Sequence, residues 1–223
     1  MPETPENVCP LCNGSGVKII NNRRFLCECQ RVEARVIRRR FSGLPHFEKH
    51  PARPITEQFI MNYDSIKRSG KNWLLYMGRS GSGKSTQAFL IVDALLNRPR
   101  PVYAKVFYYP DLVRELSAYR FDADRFDERI QNVLTPELIV LDDWLDVIPK
   151  PESFEENVAL TLIKRRYSQR KPLIVTTELT PDRFQSAFPR HGEALLGRLF
   201  ELCGGRLEIY DETSKNFRFE KVF

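Results

Sequence analysis

Long apolar runs are what this 223-residue sequence most lacks. No stretch approaches the roughly 18–20 uninterrupted apolar residues that a membrane helix needs, which speaks against a membrane-spanning helix or a membrane partner. The opening residues, Met1-Pro-Glu-Thr-Pro-Glu6, lack the basic-then-apolar order of a secretory leader, so the expected location is cytoplasmic. Internal repeats and low-complexity tracts are also missing, which sets aside solenoids and biased linkers. Cysteine is nearly absent after residue 29: of five in the chain, only Cys203 lies beyond it.

What is present is ordinary in bulk and uneven in placement. Hydrophobic residues make up 42% and charged residues 29% of the chain, a globular rather than a disordered balance. The length suits one α/β domain plus a small appendage. Net charge is +6, and residues 1–50 carry nine Lys/Arg against five Asp/Glu, so +4 of it lies there. That asymmetry favours a polyanionic or acidic partner for the N-terminal part, with a solvated helix face as the alternative.

Composition shifts divide the chain into a leader with a basic helix (1–41), a linker holding Pro45, Pro51 and Pro54 (42–57), and a main domain (58–223). Within the main domain, short apolar runs alternate with helical patterns. Strands are expected at 73–77, 102–109, 138–141, 173–177 and 206–210. Helices are expected at 84–96, 110–119, 153–169, from Thr180-Pro181 onward, and at 192–203 closed by Gly204. This order implies a mostly parallel five-stranded sheet covered on both faces.

Between the first strand and first helix of that domain stands Gly78-Arg-Ser-Gly-Ser-Gly83-Lys84-Ser85, the G-x-x-x-x-G-K-[ST] pattern in its required context. Glycines at 78, 81 and 83 let backbone amides from Ser80 through Thr86 converge on phosphate oxygens, and the helix N-terminus adds positive potential. Lys84 is expected to reach the β- and γ-phosphates of ATP, and Ser85 to offer its hydroxyl to Mg²⁺. The apolar run 138–141 delivers Asp142 and Asp143 to the end of a buried strand. Asp142 suits Mg²⁺ through water, and Asp143 suits polarising a hydrolytic water.

Cys9-x-x-Cys12 and Cys27-x-Cys29 are separated by 14 residues and can supply four thiolates to a tetrahedral Zn²⁺. A leader of this size needs such a staple to fold. A redox pair and inert buried thiols are the alternatives. Arg38, Arg39 and Arg40 follow this unit, and a second basic cluster runs through Lys164, Arg165, Arg166, Arg170 and Lys171. For that second cluster, favourable placement at a helix C-terminus outweighs phosphate contact as the reading. Phe107, Tyr108 and Tyr109 read as strand core before they read as base-stacking groups.

Taken in order, these features resemble the AAA+ helicase loaders typified by DnaC and DnaI, and their relative, the IstB transposition helper. The resemblance rests on the cysteine leader, Ser42-Gly-Leu-Pro45, the phosphate loop and Leu141-Asp-Asp143. It continues through Arg166-Tyr167, Pro172-Leu-Ile-Val-Thr-Thr177 and Leu195-Leu-Gly-Arg198-Leu199. It implies an α/β AAA+ P-loop domain behind a small zinc-binding unit, and ATP hydrolysis between subunits that associate through the nucleotide. The partners it implies are single-stranded DNA and a hexameric replicative helicase. By position, Arg198 corresponds to the arginine finger, with capping of its own helix as the alternative, and Arg218 to the second sensor arginine. One departure stands out: where the family has a sensor asparagine after a threonine or serine, this chain has Thr177-Glu178-Leu179. A carboxylate there repels phosphate, and Thr177 is left as the neutral donor. Competing readings are a transposition helper, a non-hydrolysing ATP-binding adapter, and a small-molecule P-loop kinase. The kinase lacks its arginine-rich lid in this sequence.

Overall fold

The structure is a computed structural model and describes Cys12 and residues 17–20, 23–27, 50–145, 148–211 and 213–217. Near the N-terminus, β1 (Val17–Ile20) and β2 (Arg23–Leu26) form a two-stranded antiparallel sheet. The domain proper begins with α1 (Arg53–Met61) and α2 (Tyr63–Ser69), then β3 (Trp73–Gly78), α3 (Lys84–Leu96) and β4 (Ala104–Tyr108). The chain continues through α4 (Tyr109–Ser117), α5 (Ala123–Leu134), β5 (Leu138–Asp142), α6 (Phe154–Gln169) and β6 (Leu173–Thr177). A 3₁₀ turn (Pro181–Arg183) leads into α7 (Phe184–Ala187), α8 (Gly192–Cys203) and β7 (Leu207–Tyr210).

The five main strands lie in the order β4-β5-β6-β3-β7 and every pairing is parallel. Strand alternation sorts the core into two layers. Trp73, Leu75, Met77, Ile139, Leu141, Leu173 and Val175 face the layer built by α4, α5, α6 and α8. Leu74, Tyr76, Leu138, Val140 and Ile174 face α1, α2 and α3. A sheet buried on both faces explains why 138–141 and 173–175 read as uninterrupted apolar runs.

Two expectations need correction. The stretch assigned to a linker contributes helix from Arg53 onward, with Pro54 in the first turn, where a missing N–H costs no helical hydrogen bond. Pro54 therefore marks a helix start rather than a connector. Residues 42–49 of that linker lie outside the described residues. The second correction is α5, for which no element was expected. It opens on Asp122, whose carboxylate accepts from the Arg125 amide, and it buries Ile130, Val133 and Leu134 among charged neighbours.

At the edge of the sheet where strands begin, one cation organises the backbone. Arg166 is fully buried and donates to four carbonyls, those of Leu134, Pro136, Glu137 and Pro172, at 2.5–3.1 Å. It thereby ties the end of α5 and the entries to β5 and β6 to α6. Burial pulls its pKa down to about 9, still above neutrality, so the guanidinium stays charged while it saturates these acceptors. Three other members of the same basic cluster are also engaged: Arg165 pairs with Asp127, Arg170 with Glu201, and Lys171 donates to the Leu134 and Thr135 carbonyls. Replacing Arg166 with Met leaves several buried carbonyls unsatisfied and is expected to cost about 3–5 kcal/mol; urea unfolding midpoints at constant slope measure it.

Candidate nucleotide site

The parallel register builds the site. Met77 is level with Thr177 across β3 and β6, and Leu141 is level with Val175 across β5 and β6. The strand ends, Gly78 on one side and Asp142 followed by Asp143 on the other, therefore emerge at the same edge. With β6 between them, the phosphate loop and acid pair stand about 10 Å apart, two strand spacings.

The loop runs from Gly78 to Lys84, which opens α3. Gly78 has φ 99°, and a side chain there would collide with the backbone carbonyl of Tyr210 on β7. Only glycine fits that approach. The Lys84 ammonium is buried and donates to the carbonyls of Gly78 and Arg79, both at 2.7 Å. It thus lies curled along the concave loop, where a triphosphate would also draw it. Ser80, Gly81, Gly83, Ser85 and Thr86 are half-buried, and Ser82 is buried.

On the acid side, Asp142 is buried. The hydroxyl of Thr176 donates to Asp142 Oδ1 at 2.7 Å and accepts the Asp143 amide at 2.9 Å. The amide of Trp144 adds a bond to the Thr176 carbonyl at 2.8 Å. Asp143 has φ 51° and Leu145 φ 62°, so the turn holds two left-handed residues, tolerable for Asp and strained for a buried Leu. Trp144 is fully buried against Phe184, and these contacts over-determine the turn. Thr176 escaped the sequence reading because nothing local marks it: its partners lie more than thirty residues earlier. Its only trace is that it is one of two adjacent threonines ending a strand otherwise apolar.

This arrangement suits binding a nucleoside triphosphate with Mg²⁺. The loop amides and Lys84 suit phosphate oxygens, while the Ser85 hydroxyl and the fixed Asp142 carboxylate are oxygen ligands of the kind Mg²⁺ takes. Comparison with known proteins agrees. The family described as "IstB-like ATP binding protein" matches residues 50–216. The chain belongs to that family.

Its relatives include the phage-like element PBSX protein XkdC of Bacillus subtilis (strain 168). That protein is 25% identical over 172 residues, covering 75% of this chain and 62% of the relative. YqaM of the same organism is 24% identical over 149 residues, covering 66% and 45%. The chain thus spans less than two thirds of the length of either relative. Among solved structures, the DnaC helicase loader superposes with a TM-score of 0.55 at 20% identity, covering 70% of this chain and 85% of that one. DnaI gives 0.54 at 17% identity, with 70% and 80% covered. The replication initiator DnaA bound to AMPPCP and single-stranded DNA gives 0.51 at 15%, with 75% and 53% covered. At these identities the structural likeness is one of fold.

Within this IstB-like chain the remaining candidates separate. Thr177 is buried beside the loop, and its hydroxyl accepts the Leu179 amide at 3.1 Å, leaving its proton for another acceptor. Glu178 is exposed. Arg198, on α8, donates to the Ala194 carbonyl one turn back at 3.2 Å and lies 5.9 Å from the Tyr167 ring. That ring in turn packs on Trp73, the first residue of β3. These contacts tie Arg198 toward the end of β3 opposite Gly78, about 16 Å along the strand; the structure does not bring it to its own phosphate loop. Arg218 lies outside the described residues.

The cysteine unit is only partly described. Cys12 and Cys27 are buried, and Cys27 directly follows β2, whose Leu26 pairs with Val17 of β1. Along the chain, the β1–β2 hairpin lies between Cys12 and Cys27. Cys9 and Cys29 lie outside the described residues, and no cluster of three or more metal-ligating side chains occurs among the described ones. Cys203 is buried at the end of α8, where desolvation raises its thiol pKa.

Substituting Thr176 with Val keeps shape and removes both bonds that fix the acid turn. The expected result is a loss of about 2–3 kcal/mol in stability and weaker ATP binding with Mg²⁺ but not without it. Calorimetric titration in magnesium and in EDTA separates the two.

Proposed function

We propose that this chain is an ATP-hydrolysing loader that assembles on single-stranded DNA and helps place a replicative helicase there. The observation that carries the reading is the joining of a complete phosphate loop and acid pair at one sheet edge with an arginine held away from it. That is the layout expected when one subunit supplies the nucleotide and its neighbour the finger.

In the proposed cycle, Lys84 and the loop amides bind the β- and γ-phosphates, and Ser85 and Asp142 hold Mg²⁺. Asp143 orients the attacking water, with Thr177 as a neutral donor to the γ-phosphate. Arg198 of an adjacent subunit meets the developing phosphoryl charge with planar, permanently charged donors. Arg218 is assigned to the nucleotide as second sensor. ATP then bridges subunits, and hydrolysis releases them. The likeness to DnaC and DnaI supports the helicase as partner, and the likeness to a DNA-bound DnaA supports single-stranded DNA. Cys9, Cys12, Cys27 and Cys29 are assigned to a structural Zn²⁺ that presents a docking surface. The acting compartment is the cytoplasm.

One observation favours a second reading. Glu178 occupies the position of the family's sensor asparagine, and an acid there slows attack on a polyanion. An adapter that binds ATP as a switch and hydrolyses it little, or a transposition helper of the IstB kind, would share every other feature of the site.

Affinity capture of a purified replicative helicase tests the loader directly. Capture is expected with ATP and expected to fall with Lys84→Ala; no capture under any nucleotide condition rejects the loader. Subunit mixing tests the shared site. Arg198→Ala alone is expected to lower turnover at least a hundredfold with ATP affinity retained. Mixing it with Lys84→Ala chains should restore part of the rate, and a mixture as inactive as its components would rule out a finger supplied by the neighbour.

A further inference from the structure

A phosphate loop works through its amide hydrogens, and a trans peptide points its C=O and N–H in opposite directions. Each carbonyl drawn outward therefore turns the following amide inward. In this chain every carbonyl from residue 78 to 82 has a donor. Lys84 takes those of Gly78 and Arg79, and the Ser82 hydroxyl also donates to Arg79 at 2.8 Å. The other three donors come from outside the loop. Asn216 Nδ2 reaches the Ser80 carbonyl at 3.4 Å, the Phe217 amide reaches Gly81 at 2.9 Å, and His50 Nε2 reaches Ser82 at 2.6 Å.

His50 makes the shortest of these bonds and is the most constrained donor. It is buried, ahead of α1. Its Nδ1 accepts the Ala52 amide at 3.1 Å, which leaves the ring proton on Nε2, aimed at Ser82. Its ring stacks on Phe217 at 5.0 Å and 28°, and meets Tyr210 edge-on at 5.9 Å. A side chain on Gly83, φ 88°, would strike His50 Nε2. Burial holds the imidazole pKa below its usual value, in keeping with a neutral ring that accepts on one nitrogen and donates from the other.

We infer that His50 is a positioning residue for triphosphate binding: by holding the Ser82 carbonyl outward it presents the Gly83 amide to phosphate, with Asn216 doing the same for Gly81 in lesser measure. The inference rests on the nucleotide reading of the loop but not on hydrolysis, DNA or a helicase. It assigns the first described residue of the domain and its last described segment a common task, far in sequence from the loop they shape.

The test compares His50→Gln with His50→Met, side chains of equal length that both lose the Nδ1 acceptor and differ in whether they can donate to Ser82. Titration with a fluorescent ATP analogue and Mg²⁺ is expected to show Met about tenfold weaker than the parent and Gln within about threefold, the worth of one hydrogen bond. Nucleotide-free unfolding transitions check that both variants are folded. Met binding like the parent, or Met and Gln weakened alike, would overturn the inference. Should His50→Met fail to fold, Asn216→Asp decides: the inference expects weaker Mg-ATP binding at unchanged unfolding temperature, and unaltered binding rejects it. A parent chain that binds no Mg-ATP would instead sink the nucleotide reading itself.

Discussion

Three neighbouring strands that run the same way must release their ends on the same side, and that alone brings a phosphate loop and a pair of acids within reach of one ligand. β6 sits between the other two, and its penultimate residue, Thr176, is bonded to both acid residues. The side chain of Asp142 and the backbone of Asp143 are thereby fixed by a single hydroxyl. Without it, the parallel register would still deliver the acids to the right edge but not hold them in one geometry. The left-handed backbone at Asp143 and Leu145 is the visible cost of that hold, tolerated because Trp144 anchors the turn in the core.

The molecule divides its labour between the two edges of the sheet. Where strands begin, Arg166 binds four carbonyls and makes a rigid, dry foundation. Where strands end, the backbone is left in loops whose polar groups are available to a ligand. Parallel sheets impose this asymmetry, since helices return every chain to the starting edge.

Much of this was legible in the sequence, for physical reasons that can be named. Strand–loop–helix context fixed α3 to its observed limits, Lys84–Leu96, and Gly204 closed α8 at Cys203 as expected. These boundaries are set by local chemistry. What escaped reading was set by neighbours. Proline in the first turn of α1 looked like linker, and the apolar positions of α5 were too few to rise above its charges. His50 and Thr176 carry no signature because their partners lie 32 and 34 residues away. The zinc unit remains a reading of cysteine spacing, and Arg218 an assignment by resemblance.

The collision that a side chain on Gly78 would suffer with Tyr210 also has a mechanical side. The Arg79 amide and guanidinium bond to the carbonyls of Tyr210 and Ser214, so loop and final strand are bolted together where one starts and the other stops. Neither can shift without dragging its mate. A shift of the loop at the phosphates is thus carried directly into the end of β7 and the turn at Ser214.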